Sequence, residues 1–421
     1  MRRRIANLLL LGFMTCAFAA QAGDEALTVT ARLSANDAVE GMLFGRNVVV
    51  EGNVIAVSAL GSLASGARQP ATFIFYRNPD DQWLQHQELP AGGALSLRSG
   101  VLLVGDAVYT RDDAAAFVRR ARLQPTDAQA DSGFGQAVAL FDRGTRAAVG
   151  APFETVDGVA SAGAVYIFER ISAGRWKQTA RLVAPATATS RNFGMALAAD
   201  GDTLVVGAPI AARDGSAAAY AFVDDGEAWT LQQAFTGRTG MGWSVALDGD
   251  TILIGTDGGP AYVFVRDQGH WSQQAALKPP TGLSGEFGFD LALAGDKAFI
   301  GFPPTQVSTF SAGATAAEPG RALLFTRRAG VWSETAATGP YEDSENLGVA
   351  VAIDNGTMLL ADPQADANSY ESAGLVYVLN SSQAVTDDGG SGMLGPAALG
   401  LLFAAAIPLV RKRRIRYLAS S

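Results

Sequence analysis

The chain is short of the residues that most chemistry and most cross-linking require. Its 421 residues include one cysteine and two histidines, and only 17% are charged. Cys16 sits inside an apolar run near the N-terminus, so the remainder has no thiol for catalysis, disulfides or cysteine–metal sites. Gly-x-Ser-x-Gly, His-Glu-x-x-His and phosphate-cradling glycine motifs are absent as well. Low charge beside 48% hydrophobic residues excludes an intrinsically disordered chain. A fold without covalent staples must rest on packing and strand pairing, and 48 glycines supply the turns.

Long apolar runs are confined to the two ends. Arg2, Arg3 and Arg4 precede an apolar stretch from Ile5 to Ala20, and Ala20-Gln21-Ala22 forms a small-x-small site. Residues 1–22 therefore read as a secretory signal cut after Ala22; Phe13-Met14-Thr15 before Cys16 is a poor lipoprotein box. At the other end, residues 385–392 form an Asp/Gly/Ser linker, 393–410 an uncharged stretch and 411–421 a basic tail. An uncharged helix of that length spans about 27 Å, close to the bilayer core, and the basic cluster predicts a cytoplasmic end. A plain membrane anchor satisfies this pattern. The order of Gly389-Gly390-Ser391-Gly392, short helix and basic run also resembles the Gly-Gly sorting signals of Gram-negative bacteria. That resemblance implies cleavage near Gly389 and Gly390 by a rhomboid-type intramembrane protease. With leader and tail set aside, 24 basic residues face 41 acidic ones, a net charge near −17 that disfavours nucleic acid and anionic lipid.

The interior, residues 23–384, is repetitive. A glycine, usually after an aromatic or aliphatic residue, recurs at Gly45, Gly92, Gly135, Gly194, Gly242, Gly288 and Gly348. In six copies a second strand ends 13 residues later, at Ser58, Gly105, Gly207, Gly255, Gly301 and Ala361; in the third it ends at Gly150, two residues further on. A third apolar strand follows, as in Val165-Tyr166-Ile167-Phe168, and a fourth opens with Trp83, Trp176, Trp229, Trp271 or Trp332. Seven copies of a four-stranded unit with a period near 50 predict an all-β, seven-bladed propeller of antiparallel blades. The seventh copy lacks its fourth strand. Leu27–Leu33 matches the fourth strand of the third copy, Gln178–Leu182, and is expected to close the last blade from the N-terminal side.

Phe134-Gly135 with Gly150-Ala151-Pro152, and Phe193-Gly194 with Gly207-Ala208-Pro209, resemble the FG-GAP repeats of integrin α-chain propellers. Trp-x-Gln-x-Ala-x-Leu strands such as Trp176–Leu182 and Trp271–Leu277 are similar to the bacterial subclass of these repeats. The resemblance implies that the loops between strands two and three, and between blades, gather on one face and bind partners. It also places His86 and His270 on the outer blade edge. Family propellers often hold calcium in an Asp-rich turn between strands one and two. Here that turn shrinks to Asp200-Gly201-Asp202, Asp248-Gly249-Asp250, Gly295-Asp296 or Asp354-Asn355-Gly356, too few oxygens for a calcium ion, so no cofactor is expected.

The candidate binding-face residues are Glu154, Asp157 and Asp214, with Asp362, Asp366, Asn368 and Glu371 in the long loop after the seventh second strand. The last four have a spacing that suits a cation or a solvated loop. Trp243 follows a repeat glycine where most copies carry smaller side chains, and either faces a central channel or packs there. The expected protein is an exported, surface-displayed or membrane-anchored, non-catalytic module for adhesion or recognition of an extracellular protein or polysaccharide. The alternatives are a polysaccharide-degrading enzyme, for which no carboxylate pair stands out, and a structural envelope component.

Overall fold

The computed structural model describes residues 25–383 except 63–68, 128, 186–190, 211–216, 238–239, 305–318, 342–343 and 345. The expected leader, linker, membrane segment and tail lie outside the described residues, with Ala22, Gly389 and Gly390, and so does Asp214. Among the described residues no helix is long and apolar enough to cross a membrane.

The strands form seven four-stranded sheets. Blades 1 to 6 occupy residues 47–89, 95–122, 138–183, 196–236, 245–277 and 291–337 in chain order, each sheet following the order of its strands. Blade 7 takes its three inner strands from Ala350–Asp354, Thr357–Asp362 and Leu375–Gln383, and its outer strand from Glu25–Leu33. The two-residue offset of Gly150 has a physical origin. A 3-10 turn at Asp142–Gly144 lengthens the link between the first two strands of blade 3.

Burial explains how each strand reads in sequence. Second strands such as Val101–Val104, Thr203–Gly207 and Thr251–Ile254 are buried at every residue, being covered by a neighbouring blade on each face, and so read as unbroken apolar runs. Outer strands such as Arg175–Val183 alternate between exposed and partly covered residues, as strands with one wet face do. The core is correspondingly divided into seven clusters, one at each interface between adjacent blades. Each repeat-position tryptophan packs into the cluster shared with the preceding blade, as Trp176 does between blades 2 and 3 and Trp229 between blades 3 and 4. Arg146, Arg266 and Arg327 lie over the rings of Trp229, Trp271 and Trp332 at 5.0–5.1 Å.

The repeat glycines make the closest approach between blades. Gly194, at φ +91, donates its N–H to the carbonyl of Gly207 in its own blade. A methyl on Gly207 would lie 2.1 Å from the carbonyl oxygen of Gly242 in the next blade. The same contact joins Gly150 to Gly194 at 2.1 Å and Gly301 to Gly348 at 2.2 Å. Six of the seven repeat glycines have φ between +84 and +104; Gly92 departs from this, and its neighbour Gly93 takes φ +136 instead.

Closure occurs as the repeat pattern predicts. Glu25–Leu33 runs antiparallel to Leu375–Gln383, with Glu25 opposite Gln383 and Leu33 opposite Val376. Its first residue also reaches blade 6, where the almost fully buried Glu25 carboxylate meets Lys297 Nζ at 2.7 Å and Thr326 Oγ1 at 3.2 Å. Burial pushes the Glu25 pKa up, but the Lys297 hydrogen bond and charge, with Thr326 and Ser381, bring it below its ordinary value of 4.5.

Two outcomes are expected from these contacts. Gly207→Ala overpacks the interface between blades 4 and 5 and should cost about 1–3 kcal/mol in denaturant unfolding. Gly339→Ala, which has nothing within 4 Å of its added methyl, should stay within about 0.5 kcal/mol of the unsubstituted chain; equal costs would contradict the interface account. Lys297→Met leaves a buried carboxylate without its cation and should cost about 2 kcal/mol at neutral pH, less than for a fully buried pair because the lysine is partly exposed. Since the Glu25 pKa is lowered on folding, its contribution is present above 4.5 and fades as pH falls through the folded value, so the deficit should shrink in acid.

Candidate functional site

One face of the ring carries the strand-two-to-strand-three loops and the connections between blades. In blade 3 the loop after Pro152 doubles back through the Val156–Val159 bridge, and in blade 7 the corresponding loop does so through Ala367–Tyr370. Both loops dock on the next blade through backbone bonds: Phe193 N–H donates to Ala162 and Phe44 N–H to Ala373, each at 3.0 Å.

The predicted loop residues divide into two groups. Glu154 and Asp362 are buried at 1% and 0% exposure and do not present carboxylates to solvent. Glu154 accepts hydrogen bonds from Tyr166 Oη at 2.8 Å and from Arg181 Nε at 3.0 Å. Burial first, and then Glu154, hold the Tyr166 hydroxyl far above its ordinary pKa. Asp362 accepts the backbone N–H of Asn346 at 3.1 Å and of Gln364 at 3.2 Å. Both carboxylates fasten a loop base. Asp157, Asp366, Asn368 and Glu371 are exposed, as the binding-face reading requires. They do not converge, because Asp366 accepts Ser372 N–H while Asn368 donates to Ser34 Oγ and Ala35 O. Among the described residues no three His, Cys, Asp or Glu side chains gather as a metal site would need.

The same face exposes apolar side chains as well. Phe153, Val159, Ile210 and Tyr370 lie on strand-two-to-strand-three connections, Leu60 lies near the end of the second strand of blade 1, and all five are 42–56% exposed. At its centre a 520 Å3 cavity opens into the channel along the ring axis. The channel wall consists of first strands from every blade. The mouth is lined by side chains that directly follow the repeat glycines, including Arg46, Gln136, Met195, Trp243, Phe289 and Val349, together with Asn47 and Asp290. Trp243 both faces the channel and packs, its ring 5.9 Å from that of Phe289 at an interplanar angle of 48°. Asp290 accepts the Val351 N–H at 2.8 Å, yet burial raises its pKa to about 6.

A family model described as FG-GAP repeat matches residues 117–168 and 176–222. The chain is a seven-bladed propeller, and these two stretches of it match FG-GAP repeats. No curated protein matches its sequence. Each matched segment starts on the outer strand of one blade and ends on the third strand of the next, out of phase with the blade itself. Ring closure has the same phase: the outer strand Glu25–Leu33 of blade 7 immediately precedes the inner strands of blade 1.

On the opposite face of the ring, the turn carboxylates have structural partners. Asp200 and Asp354 accept the turn N–H groups of Gly249 and Gly52 in the next blade at 3.1 and 2.7 Å, and Asp248 does the same for Gly295. Asp250 and Asp296 hold Arg266 and Arg327 at 2.6 Å, beneath the tryptophans. Asp200, Asp248 and Asp354 thus latch one blade to the next, while Asp250 and Asp296 hold arginines of their own blades.

Reasoning from loop polarity overlooked Arg46, Asn47, Gln136 and Asp290 at the mouth. The signal was present in the repeat itself, because the position after each repeat glycine points to the axis. Sequence alone singled out Trp243 there and no other residue.

Ionising Asp290 is unfavourable in the folded ring, so the chain should lose stability relative to Asp290→Asn as pH rises from 3.8, its ordinary value, through about 6. Denaturant midpoints at pH 4 and pH 8 check this. The Asn variant should match the parent in acid and gain on it in base; a constant difference would show that Asp290 does not titrate in this range.

Proposed function

We propose that this FG-GAP propeller is a non-catalytic recognition module, exported and displayed at a cell surface, that binds an extracellular protein or polysaccharide through its loop face. A propeller of FG-GAP repeats supports a binding or adhesion role in general, and the distribution of surface chemistry supports this reading further. On the opposite face the turn aspartates are engaged in latches and ion pairs, and the apolar residues exposed at the outer edges, Leu84, Ile171, Leu231 and Val331, come from separate blades. The loop face combines exposed apolar side chains with an open, mixed-polarity mouth, as partner-binding surfaces do.

The observation that favours recognition over glycan cleavage is the carboxylate count. Among the described residues lining the mouth, Asp290 is the single carboxylate, whereas glycoside hydrolysis ordinarily uses two, roughly 5–9.5 Å apart. His86 and His270 are exposed on outer strands, His86 lying against Tyr76, away from the mouth. Export and surface display rest on the two terminal segments alone.

The test immobilises polysaccharides and matrix proteins and presents the full chain to them while the same wells are assayed for released product. Saturable retention without product is the expected outcome. Product formation that depends on a loop-face carboxylate would replace this reading with the enzyme.

A further inference from the structure

The mouth of the channel is a more specific feature than the loop face around it. Its volume of 520 Å3 falls within the roughly 300–1,000 Å3 of small-molecule sites. Its lining is mixed in a particular way. Trp243 and Phe289, tilted against each other, supply an apolar, slightly curved wall. Asn47 spends its amide N–H groups on Ser58 Oγ and Gly93 O, both at 3.1 Å, leaving its carbonyl oxygen as an acceptor. Gln136 is exposed and brings both a donor and an acceptor. Arg46 and Asp290 contribute one charge of each sign.

This combination discriminates by charge. A free anion entering the mouth meets Asp290 as well as Arg46, and a free cation meets Arg46 as well as Asp290, so neither sign gains a clear advantage. A neutral ligand with one apolar face and a rim of hydroxyls uses every part of the lining. Its C–H face lies on the indole, its hydroxyls donate to Asp290 and Asn47, and they accept from Gln136. A pyranose ring has this constitution.

We propose that the channel mouth binds a neutral sugar unit of a glycan, stacked on Trp243 and held by Asn47, Gln136 and Asp290. This inference rests on the recognition reading and assigns it a ligand class and a position. It requires no metal and no covalent step.

The test titrates the full chain by calorimetry with soluble tetrasaccharides: gluco-, manno-, xylo- and N-acetylglucosamine series, each neutral, and tetragalacturonate and the chitosan tetramer as charged counterparts. At least one neutral tetramer should saturate a single site per chain, with the charged ones at least tenfold weaker. Trp243→Ala and Gln136→Ala should each weaken that binding at least tenfold, and Leu231→Ser on an outer strand should not change it. Because Gln136 is exposed, its variant keeps the test decisive if Trp243→Ala fails to fold. Binding that survives Gln136→Ala and any folded Trp243→Ala would overturn the position while leaving the recognition reading intact. Preference for a charged tetramer would overturn the ligand class. Failure of every neutral tetramer beside retention on a matrix protein would overturn the proposal alone, whereas failure on every surface would remove both readings.

Discussion

Four of the seven blade interfaces depend on a contact that only glycine permits. At these the carbonyl oxygen of the repeat glycine lies only 2.1–2.4 Å from where a methyl on the preceding blade's second strand would be, at the Gly150, Gly207, Gly255 and Gly301 contacts. The N–H of that same glycine turns back to its own blade, so a chain of alternating contacts and hydrogen bonds passes from blade to blade. Close approach along this line lets the seven apolar clusters seal. Where glycine is replaced the approach loosens: at the seam between blades 7 and 1, Ala361 takes the place of the second-strand glycine, and Gly45 opposite it stays small enough to accommodate the methyl.

Polar chemistry follows the same neighbour-to-neighbour logic. Turn carboxylates cap the backbone of the next blade, Arg266 and Arg327, held by turn aspartates of their own blades, reach back to Thr203 and Thr251 of the preceding ones, and Glu25 ties the closing strand to blade 6. These groups are committed to holding the ring, which is why acidic residues that look available in the sequence are not all available in the fold. Exposed loop residues such as Asp157 and the axial opening lie on the other face.

Much of the architecture was legible because repetition multiplies weak signals. A single Phe-Gly or Asp-Gly-Asp says little, but seven glycines at nearly constant spacing from seven second strands leave few alternatives to a propeller. The orphan strand Leu27–Leu33 was readable because the seventh copy visibly lacked its partner. The site was less legible, for a physical reason. Loop polarity cannot distinguish a carboxylate that faces water, such as Asp157, from one that turns inward to fasten the loop, such as Glu154, since that depends on Tyr166 and Arg181 from strands beyond the loop. Asp290 and Gln136 come from different blades and meet only because the ring closes, so no local window contains their relationship.

The account makes closure the condition for everything at the axis, and native-state hydrogen exchange of the full chain tests that condition most directly. If the ring is one cooperative unit, amides of Glu25–Leu33 that pair with Leu375–Gln383 should open with nearly the same free energy as those of the fully buried strand Thr203–Gly207. Exchange of the closing strand at a free energy several kcal/mol lower, with the other blades still protected, would contradict it.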